Sequence, residues 1–211
     1  MSSVESSGLV DLFLDLALVG DSRGAVRLAL DLLDSGVPEE LVIEGLLAVS
    51  QREVGERWHR NIVGVAEEHL CTSASESSLH ALAASCPSEP SGGLVVVTCA
   101  EGDWHAIAAH MFAEQLRSRG VVVAYLGAST PADHVARFFA RHRPEVVAVS
   151  CNLPLYFRGL SRIADVAHAL GIPVLAGGAG DGRERREIVE AGRRWLGTRY
   201  RRGDQIDRRV E

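Results

Sequence analysis

Apolar positions along the first 85 residues recur at the spacing of a helix. Leu9, Leu12, Phe13 and Leu16 form one set, and Val26, Leu28, Leu30 and Leu33 a second. Asp21 and Ser22 stand before the second set as an N-cap, and Gly36 stands after it as a stop. Pro38 with Glu39 and Glu40 opens a third helix, because proline suits the first turn and carboxylates favour its positive end. Ile43, Leu47, Val54 and Trp58 then fall close to one face. A fourth helix is expected over Val65 to Ala84. Four helices with short connections predict an antiparallel bundle over residues 1–85.

The pattern then changes. Residues 86–93 read Cys-Pro-Ser-Glu-Pro-Ser-Gly-Gly, a linker by composition. Leu94 to Thr98 is a continuous apolar, β-branched run, as expected of a strand covered on both faces. Val121 to Leu126, Val146 to Ser150 and Ile172 to Ala176 repeat it. Helix-like stretches separate these runs: His105 to Arg119, Ala132 to His142, and Phe157 to Leu170. Strand and helix in alternation predict an α/β domain with a flavodoxin-like (Rossmann-like) parallel sheet over residues 94–198. A last strand near Trp195 and a polar tail over residues 199–211 complete the expected layout.

Charge narrows the function. The 211 residues carry a formal net charge of -6, which argues against a free-standing nucleic-acid binder. No apolar run approaches the ~20 residues that cross a bilayer, so no membrane partner is expected. Cys71, Cys86, Cys99 and Cys151 form no CxxC pair, which predicts free thiols in a reducing cytoplasm.

The candidate chemistry lies just after the strands. In open α/β sheets, ligands bind beyond the C-terminal ends of the strands, near the point where strand order reverses. Glu101-Gly-Asp-Trp-His105 follows the first strand, Ser150-Cys-Asn-Leu-Pro154 the third, and Gly177-Gly-Ala-Gly180 the fourth. Taken singly, each has an ordinary reading: Asp103 as a helix cap, Ser150 as a strand end, and the glycine pair as a tight turn. A flavodoxin-like strand order brings all three to one rim.

Together these segments resemble the signature of the cobalamin-binding domain family: DxHxxG, then SxL, then GG. Here they read Asp103-Trp-His105-Ala-Ile-Ala108, Ser150-Cys-Asn152 and Gly177-Gly178. Ala108 stands where the signature has glycine, and Asn152 where it has leucine. Tyr125-Leu-Gly-Ala-Ser-Thr-Pro131 is similar to the family's LGxxxP loop. The resemblance implies a cobalt held from below by His105, with Asp103 as its hydrogen-bond partner. It implies cofactor contacts at Leu126, Gly127, Thr130 and Ser150, and a slot for the nucleotide tail lined by Gly177 and Gly178.

In the helical half, Trp58, nine residues, then Glu68-His69 resembles the W-x9-EH motif of CarH-type cobalamin photoreceptors. That likeness implies adenosylcobalamin, with Trp58 and Glu68 against its upper ligand. His69 is then the upper cobalt ligand after light breaks the cobalt–carbon bond. It implies a sensor rather than an enzyme, with a separate signalling protein or self-association as its output. Those regulators carry a helix-turn-helix domain before the bundle; this chain starts almost directly at the bundle, so no direct nucleic-acid contact is expected. A likeness to the stand-alone photocobilins adds a bilin such as biliverdin as a second, non-covalent chromophore. The competing reading is a corrinoid methyl carrier serving a separate methyltransferase. Carriers usually continue the histidine motif as HDIGKN, whereas this chain has His105-Ala-Ile-Ala-Ala-His110. A cobalamin-binding partner or chaperone without photochemistry is the third.

Overall fold

The computed structural model describes residues 3–90 and 92–178, and residues 3–7 by backbone alone. The expected strand near Trp195, the end of the 94–198 domain and the 199–211 tail lie outside the described residues. The chain divides into two compact units: one of residues 1–93 and 107–125, the other of residues 94–106 and those from 126 on.

The first unit is helical. It contains α1 (Ser3–Leu18), α2 (Ser22–Asp34), α3 (Glu39–Val42), α4 (Ala48–His59), α5 (Val65–Ser85) and α6 (Ile107–Ser118). α3 and α4 are one continuous helix interrupted by a π turn at Ile43–Leu47. The wider turn aims three of its five residues, Ile43, Leu46 and Leu47, into the core. Phe13, Leu14, Val54, Leu79 and Leu82 complete that core. α2 packs against α5. Its buried face consists of Gly24, Ala25 and Ala29, and α5 buries Cys71, Ala74, Ser75 and Ser78. Small residues on both sides let the backbones approach, in place of a leucine stripe.

The predicted cap of α2 is present: Asp21 accepts a 2.8 Å hydrogen bond from the backbone N–H of Gly24. Asp21→Ala is expected to lower stability by about 1 kcal/mol, read as a shift in the midpoint of chemical denaturation. Glu67 caps α5 by accepting from the backbone N–H of Gly64 at 2.9 Å. α6 packs on α5 and α3, with Gln115 donating to Glu44 at 3.1 Å and Arg119 paired to Glu40. The linker is anchored: Ser88 donates to the carbonyl of Arg117, and the N–H of Gly92 to the carbonyl of Gly120.

β1 (Leu94–Cys99), β2 (Val122–Gly127), β3 (Val146–Ser150) and β4 (Val174–Gly177) are ordered β2-β1-β3-β4. This is the flavodoxin-like order, and the predicted strands stand within two residues of their expected bounds. The second unit carries β1, β3 and β4 of the sheet, and β2 spans the boundary at residues 125–126. β1 pairs parallel with β3 from Val95↔Val146 to Cys99↔Ser150, and β3 with β4 up to Ser150↔Gly177. α7 (Ala132–His142) and α8 (Phe157–Ala169) cover this unit, burying Val135, Phe139, Leu160 and Ile163. α8 comes close to the loop after β1. A Cβ on Gly159 would lie 2.2 Å from the carbonyl oxygen of Glu101, so glycine is required there. Glu101 in turn pairs with Arg162 of α8 at 2.8 Å.

Candidate cofactor site

The strands run in parallel, so the segments after β1, β3 and β4 leave the sheet at the same edge. Asp103 lies in the loop after β1 and is fully buried. A buried carboxylate is costly unless hydrogen bonds replace its water. Asp103 accepts four. Its Oδ1 accepts from the backbone N–H of His105 at 2.9 Å and from His105 Nδ1 at 2.8 Å. Its Oδ2 accepts from the backbone N–H of Asn152 at 2.8 Å and from Asn152 Nδ2 at 3.3 Å. An ionised carboxylate has about four lone-pair sites, so this one is saturated.

His105 is not the first residue of a helix; it sits in the loop two residues before α6. Its side chain is 59% exposed although its partner is buried. Because the carboxylate can only accept, Nδ1 donates, and Nε2 keeps its lone pair on the exposed side. The loop after β2 is tied to the same place. Ser129 Oγ accepts from the N–H of Gly102 at 3.0 Å, and the N–H of Ser129 donates to the Asp103 carbonyl at 3.0 Å. Within that loop, Thr130 Oγ1 donates to the carbonyl of Leu126 at 3.2 Å, and Thr98 Oγ1 lies 3.4 Å from the carbonyl of Gly127.

Ser150 ends β3 half-buried, opposite Gly177. Gly177 and Gly178 are both exposed, but their surroundings differ. A Cβ on Gly177 would meet no atom of the described residues within 4 Å. A Cβ on Gly178 would lie 1.7 Å from the carbonyl oxygen of Cys151. Gly178 is therefore glycine because two backbones touch. Trp104, Leu153 and Leu155 lie near this edge as exposed apolar side chains.

In the helical unit, Trp58 does not join the buried face of α4. It is 44% exposed, with its ring tilted against His59 at a centroid distance of 5.1 Å. Glu68 and His69 are together: His69 Nε2 is 3.6 Å from Glu68 Oε2. Thr72 Oγ1 is 3.0 Å from both Glu68 Oε1 and Gln51 Oε1, and Gln51 Nε2 is 2.9 Å from Ser75 Oγ. Glu68 is thereby held in place by a chain that reaches from α5 to α4. Neither Gln51 nor Thr72 carries a motif, and only the helical spacing of Thr72 from Glu68 hints at the arrangement.

Among the described residues no cluster of three His, Cys, Asp or Glu can hold a metal ion. Burial first, then the negative charge of Asp103, push the Cys99 thiol up to about 12 and the Cys151 thiol up to about 11. Both stay protonated at neutral pH and offer no thiolate to a metal. A single oriented imidazole suits a metal whose remaining ligands come from its own macrocycle. The residues therefore fit a cobalt corrin, which His105 would hold.

A carboxylate-held imidazole at the C-terminal edge of a β2-β1-β3-β4 sheet is the arrangement that the cobalamin-binding resemblance implied. Two families, each described as a B12 binding domain, match residues 93–193 and 9–83. The chain belongs to the B12-binding domain family and is a cobalamin-binding protein. It is 29% identical over 180 residues to the HTH-type transcriptional repressor CarA of Myxococcus xanthus, covering 83% of this chain and 59% of that one. It is 30% identical over 157 residues to the repressor CarH of the same organism, covering 71% of this chain and 52% of that one. The chain thus spans little more than half of the curated relatives it matches. In fold it is similar to the monomethylamine corrinoid protein of Methanosarcina barkeri, with a TM-score of 0.72 at 19% identity, covering 89% of this chain and 96% of that one. No helix among the described residues is long and apolar enough to cross a membrane.

Proposed function

We propose that this chain is a cytoplasmic, light-responsive adenosylcobalamin protein that senses rather than catalyses. The observation that carries the reading is the exposed His105 imidazole clasped through Nδ1 by buried Asp103. When bound, the cofactor supplies the light absorption and the cobalt–carbon bond that light breaks. The chain's own residues do the rest. Asp103 fixes the tautomer and direction of His105. Gly177 and Gly178 line the slot for the nucleotide tail, Ser150 meets its base, and Leu126, Gly127 and Thr130 are further cofactor contacts. Trp58 and Glu68 would hold the bound group, with Glu68 steadied by Thr72, and His69 would offer a second imidazole to its metal. Support for the light response comes from the Trp58…Glu68-His69 motif and from the similarity to CarA and CarH. The change of ligand biases a two-state element whose output is self-association or a separate signalling protein.

The test is a visible spectrum of the dark protein reconstituted with adenosylcobalamin, before and after green light. The expected result is an irreversible spectral change whose end point is altered by His69→Ala. A light-stable spectrum, or methyl transfer when the protein is paired with a corrinoid methyltransferase, overturns it in favour of the methyl carrier, whose fold this chain shares. Reconstitution with biliverdin alongside cobalamin reads directly whether a bilin is a second chromophore.

A further inference from the structure

We propose that Asn152 is a positioning residue for the lower cobalt ligand, taking the place that the family's signature gives to an apolar leucine. The inference rests on the reading of His105 as that ligand. Three hydrogen bonds carry it. The backbone N–H of Asn152 reaches Asp103 Oδ2 at 2.8 Å. Its amide Nδ2 reaches the same oxygen at 3.3 Å and the carbonyl of His105 at 3.0 Å. Both partners of the amide are pure acceptors, so the nitrogen, not the oxygen, faces them. The side chain therefore bridges the two residues that matter. One bond restrains the carboxylate that holds the imidazole, and the other restrains the backbone from which the imidazole hangs.

The consequence is geometric. His105 is pinned at its ring by Asp103 and at its carbonyl by Asn152, on the two sides of its Cα. A leucine at this position keeps the backbone N–H but has no donor for either contact. The imidazole then keeps its bond to Asp103 but loses the side-chain restraint on that carboxylate and on its own backbone, so a metal must order more of it on binding. Partners that orient a ligating histidine are worth about 10–100-fold in metal affinity. The side-chain share of this clasp, with one bond of ordinary length and one long, belongs at the lower end of that range.

Asn152→Leu and Asn152→Ala test this, because neither adds charge and the side chain is only half-buried. The readouts are the affinity for methylcobalamin by visible titration, the histidine-specific splitting from His105 in the spin-resonance spectrum of the cobalt(II) protein labelled with nitrogen-15 histidine (which separates it from splitting by the cofactor's own base), and apo-protein thermal stability. The expected result is an affinity about tenfold lower in both variants and a smaller fraction showing the nitrogen splitting, with thermal stability close to the parent. His105→Ala is the reference, expected to remove the splitting altogether. If both variants keep the parent's affinity and splitting while His105→Ala loses them, Asn152 does not position the ligand. A drop in stability with unchanged affinity of the folded protein is the merely structural outcome and also overturns the proposal. If His105→Ala itself keeps the splitting, the reading of the site falls, and this inference with it.

Discussion

Replacing His105 by alanine is expected to weaken cobalamin binding by at least about 100-fold and to remove the spectrum of histidine-ligated cobalt. The reasoning follows from the donor set. Among the described residues no other cluster can take a metal, and the two nearby thiols, Cys99 and Cys151, are held protonated. Among the described residues nothing else at this edge replaces the lost ligand. The folded chain is expected to survive, because the imidazole is mostly exposed and its loss removes only one of Asp103's four hydrogen bonds, worth about 1 kcal/mol. Thermal denaturation of the apo protein separates the two effects. Undiminished binding by His105→Ala sinks the assignment of the ligand.

Gly178→Ala is expected to be the most damaging single methyl group that can be added at this edge. Its Cβ would sit 1.7 Å from the carbonyl oxygen of Cys151. The obstruction is backbone, so it cannot rotate aside, and β4 must separate from the segment after β3. A cost of about 3 kcal/mol or more is expected, or a fall in melting temperature of roughly 6–12 °C. The neighbouring Gly177→Ala is the contrast. Its Cβ would meet no atom of the described residues within 4 Å, so stability is expected to stay within about 0.5 kcal/mol while cobalamin affinity falls. Equal melting temperatures for the two variants would remove the distinction between a glycine that serves packing and one that leaves room for the ligand.

The strands were legible because a strand buried on both faces leaves an unbroken apolar run, and Val146 to Ser150 matches residue for residue. The helical periodicity located α1, α2 and α5 for the same reason. It failed where packing uses little hydrophobicity. α2 packs against α5, and the residues these helices bury include Gly24, Ala25, Ala29, Ser75 and Ser78, which no hydrophobic pattern marks. Ile43, Leu47 and Val54 are buried as their spacing suggests, but Trp58, in line with Val54, sits in the last turn of its helix and ends half-exposed. At the site, Asp103 and His105 were legible as a pair two residues apart. Asn152 was not, since it lies 47 residues from His105 and meets it only through the pairing of β1 with β3. In the sequence it is a departure from a motif; in the fold it is a hydrogen-bond donor to both ends of the ligand loop.

The clasp around His105 draws three loops together through hydrogen bonds. The loops after β1, β2 and β3 are joined through Gly102, Ser129, Asp103 and Asn152, so little conformational entropy remains to be lost there when a ligand arrives. Such preorganisation raises affinity by lowering the cost of ordering rather than by adding contacts. Capture at this edge should therefore proceed at a rate set by encounter and by exchange of the cobalt's own lower ligand, with no slow rearrangement of the sheet edge itself.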